Sequence, residues 1–411
     1  MTGPSTDGGA SDEPEVVRAE RLVAGGAALS RRGDRRIVLV DDALPGELVE
    51  VTIGRRHGAD RGTVVRIVEP SPDRVAPRCP HVADGCGGCD LATLGHGAQV
   101  EAKIELVADS LRRLGRWREP VVHAGPALDP WGFRTTLRLA VTGGRVGLRR
   151  AASNDVVELA HCMVAHPRLD EMIVDGRFPD ASYVTLRVGA TTGDRLALVA
   201  PTRRGVSLPD DVRVVGADEL AAGRDAWIHD DVARRRWRIS AGSFFQTRTD
   251  GAAALVDVVR AMAADVLDRE TGVLVDAYSG VGVFAGALLD GRAGWRAVTI
   301  ENDRASVADA RVNLADLDVR IVESSVERLR APRADLVVAD PSRAGLGTEA
   351  AAVVAATRAE RIVLVSCDPA AAGRDVDLLK SRGYRPVESI VVDLFPHTHH
   401  TEVVTRFDRR P

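Results

Sequence analysis

Four chemistry-bearing positions in the second half of the sequence follow short apolar runs. Gly280 and Gly282 come after Val273–Asp276, Glu301 after Ala297–Ile300, Asp340 after Leu336–Ala339, and Cys367 after Ile362–Val365 and Ser366. If those runs are parallel strands, all four sites share one carboxyl edge, where open α/β sheets bind ligands. The glycines let the backbone turn sharply and approach a ligand closely, though alone they equally suit a bare strand–helix turn. Glu301, about twenty residues past the loop, can accept hydrogen bonds from ribose hydroxyls; its plainer role is a helix cap. The loop is not G-x-G-x-x-G, so a dinucleotide is disfavoured. Asp276-x-x-x-Gly280-x-Gly282 with a strand-end acid suits S-adenosylmethionine (SAM). Cys367 precedes a helix start, whose N-terminus favours a thiolate; the alternative is a buried structural thiol.

The other four cysteines form their own set. Cys79, Cys86 and Cys89 read C-x6-C-x2-C, and Cys162 lies in Leu159–His166. Four thiolates complete the ligands of a [4Fe–4S] cluster. Tetrahedral zinc is the alternative, although zinc ribbons bring two close C-x2-C pairs. His81, His161 and His166 read as ordinary polar neighbours. Five cysteines in 411 residues make no disulfide framework, so the cytoplasm is the expected compartment.

The elements that must position these residues change character along the chain. Residues 1–13 are rich in Gly, Ser, Thr and acids and read as a disordered tail. Arg36–Val40, Glu47–Ile53 and Gly62–Val68 are strand-like runs split by turns, fitting a small β-barrel over 14–72. A proline-rich linker, Pro70–Pro80, leads out. Glu101–Gly115 has helical periodicity. Strands dominate from Gly132 to about Ile239, among them Thr136–Val141, Val184–Val188 and Arg195–Val199. After Ala241, apolar runs alternate with helix-length segments, ending with Ile390–Leu394, the doubly wound parallel pattern. The expected fold is therefore α/β, with a Rossmann-like C-terminal sheet, an N-terminal OB-like barrel and a β-rich centre. The expected division is a barrel over 14–72, a central domain over 73–95 and 117–240, and a catalytic domain over 96–116 and 241–411. No run approaches the ~20 apolar residues of a membrane span, and no apolar stretch follows the acidic start.

Composition narrows the partners. With 45% hydrophobic and 28% charged residues the chain can bury a sizeable core. Its net charge of −4 rules out a basic nucleic-acid coat, so any anionic partner must meet local patches. Arg31, Arg32, Arg35 and Arg36, with Arg55 and Arg56, offer such patches on the barrel, and Arg234, Arg235, Arg236 and Arg238 another. Solvated faces are the alternative. Lys103 and Lys380 are the only lysines, a bias read as genomic. Aromatics are 4%, so base stacking rests on few residues; Phe244, Phe245, Trp131 and Phe133 are candidates, with core packing the commoner fate.

Taken together, the motifs resemble the RNA 5-methyluridine methyltransferase family, over about residues 14–411. The shared set is the four-cysteine pattern, Ser243-Phe244-Phe245-Gln246, Asp276-Ala277-Tyr278-Ser279-Gly280-Val281-Gly282, Asp340-Pro341-Ser342-Arg343-Ala344-Gly345, Ser366-Cys367-Asp368-Pro369 and His397-Thr398-His399-His400-Thr401-Glu402. Val283 stands where relatives often carry Asn, Ser342 where Pro or Ala is usual, and the first cysteine gap is one residue longer. The resemblance implies a TRAM-type RNA-binding barrel and a structural [4Fe–4S] cluster on Cys79, Cys86, Cys89 and Cys162. It further implies SAM contacts from Gln246, Tyr278, Glu301 and Asp340, a nucleophilic Cys367 and a basic Glu402. By itself Glu402 reads as a surface strand acid.

The implied chemistry is sound. C5 of uracil is a poor nucleophile until a thiolate adds at C6; a base must then remove the C5 proton before the thiolate leaves. The target base must first be flipped out of its stack. Ribosomal RNA, 23S-like, is the expected substrate, because well-known bacterial transfer-RNA relatives lack both barrel and cluster. A transfer-RNA or cytosine C5 methyltransferase is the enzymatic alternative, and a non-catalytic iron–sulfur RNA-binding protein the alternative of another class. A monomer without an obligate protein partner is expected.

Overall fold

A computed structural model describes residues 11–56, 58–151 and 153–410. Most of the segment read as a disordered tail, residues 1–10, lies outside the described residues. Among these residues the chain forms two compact units. The smaller comprises the chain up to Arg78, Cys89–Leu106 and Phe395–His400; the larger comprises Cys79–Gly88, Val107–Leu394 and the chain from Thr401.

In the smaller unit, β1 (Ser11–Leu22), β2 (Ala28–Arg31), β3 (Ile37–Asp41), β4 (Leu48–Arg56) and β5 (Ala59–Glu69) close into a barrel in the order β1-β2-β3-β5-β4. Alternation makes the interior: Val49, Val51 and Ile53 of β4 point in with Val17, Ala19, Val38 and Val40, and Leu91 and Leu94 pack into the same cluster. The buried carboxylate of Glu47 is held by Arg74 at 2.6 Å and by the Leu44 amide at 2.8 Å, which keeps it below the usual carboxylate range despite burial. Three of the barrel arginines read as phosphate contacts are ion-paired instead. Arg31 meets Glu20, Arg32 meets Glu15 and Asp60, and Arg36 meets Asp34.

The larger unit holds three sheets. Strand β6 (Val122–Ala124) joins the last of them. β7 (Thr136–Thr142), β8 (Arg145–Arg149), β9 (Val156–Glu158), β10 (Tyr183–Val188), β11 (Arg195–Ala200) and β12 (Val212–Gly216) form a six-stranded sheet ordered β12-β11-β10-β7-β8-β9. β13 (Trp227–Val232) and β14 (Arg235–Ser240) pair as a hairpin. The third sheet contains β15 (Gly272–Ala277), β16 (Trp295–Glu301), β17 (Val319–Glu323), β18 (Leu336–Ala339), β19 (Arg361–Ser366), β20 (Tyr384–Val392) and β21 (Glu402–Arg409), ordered β17-β16-β15-β18-β19-β21-β20-β6.

Every residue of β18 and β19 is buried, as expected of parallel strands covered on both faces. The sheet is not parallel throughout. β21 enters antiparallel between β19 and β20, because residues 393–401 are too few for the crossover that a parallel partner needs. The strand expected at Ile390–Leu394 is part of β20, which begins at Tyr384 and ends at Val392. The helix expected over Glu101–Gly115 spans His96–Arg113.

Candidate active site

Parallel register puts the carboxyl ends of the third sheet in line. Ala277 pairs with Ile300 on one side and Ala339 on the other, and Ala339 pairs with Leu364. Tyr278, Glu301 and Asp340 therefore leave the sheet side by side. Ser366 pairs with Val403, so the next rung of that antiparallel ladder sets Cys367 opposite Glu402. Side chains on such a rung share a face. The interacting charges agree: Glu402 and Asp340 both act on the Cys367 thiol, and Asp340 acts on Glu402.

The glycine loop is shaped from within. Asp276, fully buried, accepts a hydrogen bond from the Ala285 amide at 2.9 Å, tying strand to helix. Gly280 and Gly282 have φ of +53° and +95°, and a Cβ on Gly282 would meet Leu314 at 2.7 Å. Tyr278 adopts φ +64° without being glycine, a strained conformation held by its surroundings. Its hydroxyl donates to Glu327 at 3.3 Å. Glu301 accepts from the amides of Gly280 (2.9 Å), Asn302 and Asp303 (both 2.8 Å), which fixes the carboxylate and leaves part of its acceptor capacity free.

Tyr278 and Glu301 line a cavity of about 370 Å³ with Ser324, Ser342 and Gly345–Gly347. Asp375 accepts from the amides of Leu346 (2.7 Å) and Gly347 (3.2 Å), holding that rim. The other two expected cofactor residues stand together beside it in the sheet order: Gln246 Nε2 lies 3.5 Å from Asp340 Oδ2. The backbone three to six residues before Gln246 is held by a buried arginine that no sequence motif marks. Arg187 of β10, itself buried, donates to the Ser240 and Ser243 carbonyls at 2.9 and 2.8 Å. Asp309 takes the Ser243 hydroxyl at 2.6 Å. Of the four aromatics considered for stacking, Phe133 and Phe245 are buried, whereas Phe244 is 65% exposed.

Two expectations are corrected. Glu402 is 2% exposed, not a surface acid; burial and the Asp340 charge raise its carboxyl well above the usual range, with Arg343 opposing. The Cys367 thiol is pushed up to about 11 by burial, then Glu402 and Asp340, again opposed by Arg343. The helix start does not outweigh these: Asp368 already caps it, accepting from the Ala371 amide at 2.7 Å.

Asp276 carries a stability signature. Burial, then the Asp340 and Glu301 charges, lift it to about 7, and its Oδ1 has no partner. A carboxyl raised on folding stabilises fully below its unfolded value and loses that contribution as pH rises through the folded one. The unliganded protein should therefore lose up to ~4 kcal/mol between pH 4 and 7 from this group. Asp276→Asn should flatten that slope in denaturant titrations; an unchanged slope would contradict it.

The cysteines are all free thiols. Cys79, Cys86 and Cys162 belong to the larger unit; Cys79 raises the proton affinity of both others, and burial drives Cys162 to about 11. Cys89 follows Gly88 in the chain and opens a segment of the smaller unit. No group of three or more His, Cys, Asp or Glu stands at metal-holding geometry among the described residues. His81, His161 and His166 have other partners: Asp84 and the Ala160 amide, Asp170, and the Arg168 amide. Arg235, Arg236 and Arg238 pair with Asp316, Asp231 and Asp309.

Comparison with known proteins agrees with this arrangement. Residues 325–410, which carry Asp340, Cys367 and Glu402, match the family model described as tRNA (Uracil-5-)-methyltransferase. The chain is 35% identical to an RNA methyltransferase of Streptomyces avermitilis, covering 95% of this chain and 97% of the relative. It is 33% identical to the 23S rRNA (uracil(1939)-C(5))-methyltransferase RlmD of Methylococcus capsulatus, covering 97% of each. The crystal structure of Pyrococcus abyssi tRNA (uracil-54, C5)-methyltransferase with S-adenosyl-L-homocysteine has the same fold, with a TM-score of 0.73 and 24% identity over 97% of this chain and 100% of that one. A thiol and a carboxyl at adjacent strand ends, beside a strand-end cavity, are thus found in a chain whose full-length relatives are named RNA methyltransferases. The chain belongs to the family of SAM-dependent RNA uracil-C5 methyltransferases.

Proposed function

We propose that this enzyme methylates C5 of a uridine in 23S ribosomal RNA in the cytoplasm, with Cys367 as nucleophile and Glu402 as base. The observation that carries the assignment is the β19–β21 register ending at Ser366 and Val403, which brings Cys367 and Glu402 to neighbouring positions, together with the mutual electrostatic influence of the two groups. SAM supplies the methyl group as an electrophile, and Gln246, Tyr278, Glu301 and Asp340 are the residues assigned to hold it. Cys367 as thiolate adds to C6; the C5=C6 π electrons move to C5, which takes the methyl group. Glu402 then removes the C5 proton, the double bond re-forms, and the Cys367–C6 bond breaks. Arg343, which acts on both groups, offsets the negative charge around them.

The 23S substrate is supported by full-length similarity to the Methylococcus capsulatus enzyme and to that of Alkalilimnicola ehrlichii, 33% identical over 92% of each chain. The family model's own description favours transfer RNA as the second reading. Nucleoside mass spectrometry on separated ribosomal and transfer RNA, from cells with and without the gene, decides. Loss of 5-methyluridine from the ribosomal fraction alone is expected; loss from the transfer-RNA fraction alone reassigns the substrate, and no loss from either overturns the function.

Four soft sulfur donors suit a [4Fe–4S] cluster, and we assign Cys79, Cys86, Cys89 and Cys162 to it as a structural group. Anaerobically purified protein is expected to carry about four irons and four sulfides per chain. Stoichiometric zinc without sulfide would replace the assignment.

A further inference from the structure

A second cavity, of about 520 Å³, lies on the six-stranded sheet and is lined by Gly87, Gly88, Arg138, Ala140, Leu148, Arg149 and Tyr183, with Gly147 in its floor. Its floor follows from register. Tyr183 pairs with Ala140, and Ala140 with Gly147, so one aromatic ring is followed across two strands by residues with almost no side chain. One wall is the loop before Cys89. The Gly87 amide donates to the Arg149 carbonyl at 3.0 Å, and a Cβ on Gly87 would come within 2.9 Å of that oxygen.

Two cations meet over this floor. Continuing the β7–β8 register by two residues sets Arg138 across from Arg149. Their guanidinium carbons stand 5.3 and 5.9 Å from the centre of the Tyr183 ring. Arg149 also donates to the Tyr183 hydroxyl and to Asn154. Like charges opposite one another destabilise a sheet, and neither arginine has a carboxylate partner among the described residues. Arginines nearby do have one: Arg145 meets Glu158, and Arg195 meets Asp211 and Glu171. In a chain with more acids than bases, two uncompensated cations at one aromatic ring call for an anion from outside.

We propose that this groove is an additional RNA contact, taking one unpaired nucleotide of the substrate. Its base packs against Tyr183 and the guanidinium planes, and its phosphates engage Arg138 and Arg149. Aromatic and guanidinium stacking is how single-stranded RNA bases are held, and paired guanidiniums suit phosphate oxygens. A cavity of this size falls in the range of small-ligand sites. The assignment rests on the RNA methyltransferase reading and adds to it a site on a different sheet from the reacting groups.

The test uses the full-length holoenzyme and whichever of a 23S ribosomal and a transfer RNA transcript the wild type methylates. Arg138→Ala/Arg149→Ala should raise KM for RNA roughly tenfold or more, with kcat and KM for SAM unchanged. The dependence of log KM on log salt should flatten by about 1.4, two single-strand phosphate contacts. Arg138→Lys/Arg149→Lys should keep the salt slope. Tyr183→Leu should raise KM about 5- to 100-fold without changing the slope. Unchanged KM and slope in all these variants would overturn the groove and leave the methyltransferase reading intact. A wild type that methylates neither RNA would overturn that reading, and the groove with it.

Discussion

Cys367→Ala is expected to lower methyl transfer on the order of 10⁴-fold or more, while binding of SAM, followed by calorimetry, stays near the wild-type value. No other cysteine leaves a strand of the catalytic sheet; the remaining four lie at positions 79, 86, 89 and 162. Without a sulfur adding at C6, C5 of uracil has too little electron density to take a methyl group. The wild-type single-turnover rate should also climb with pH, about tenfold per unit over the neutral range. Its thiol, held up to about 11 by burial and by Glu402 and Asp340, is mostly protonated there. A flat pH profile would place the slow step elsewhere.

The second large effect concerns release. Glu402→Gln keeps the shape of a buried side chain and removes its basicity, so turnover should fall about 10²- to 10⁴-fold. The first methyl group should still transfer, leaving methylated RNA attached to the protein. On a denaturing gel, label from methyl-labelled SAM should migrate with a protein–RNA band. That band should vanish when Cys367→Ala is added. Normal turnover by Glu402→Gln would remove Glu402 from the mechanism.

What could be read ahead of the structure follows from range. Leu336–Ala339 and Ile362–Val365 are continuous apolar runs ending in polar residues, so the candidate edge of the sheet is legible locally. The burial of Glu402 is not. It depends on β21 inserting antiparallel between β19 and β20, a pairing that no pattern in Thr401–Arg406 announces. The ionisation of the thiol is illegible locally for the same reason. The helix start is local to Cys367, whereas the carboxyls that oppose ionisation arrive from β18 and β21. The role of Arg187 is not legible in sequence because its partners, the carbonyls at 240 and 243, lie more than fifty residues away. Part of the neutralisation of the arginine clusters is local, as in Arg36–Asp34 and Arg236–Asp231, but Arg235 and Arg238 are paired by Asp316 and Asp309, more than seventy residues away. Arg138 and Arg149 are isolated in sequence and adjacent only through sheet register, so no local pattern marks them.

The central claim is the covalent bond between Cys367 and the target base. RNA carrying 5-fluorouridine tests it, because Glu402 cannot remove fluorine from C5 as it removes a proton, and the adduct persists. Peptide mass spectrometry of the nuclease- and protease-digested complex should find a methylated fluorouridine on the peptide containing Cys367. No adduct, or an adduct on another residue, in a preparation that methylates ordinary RNA would contradict the account.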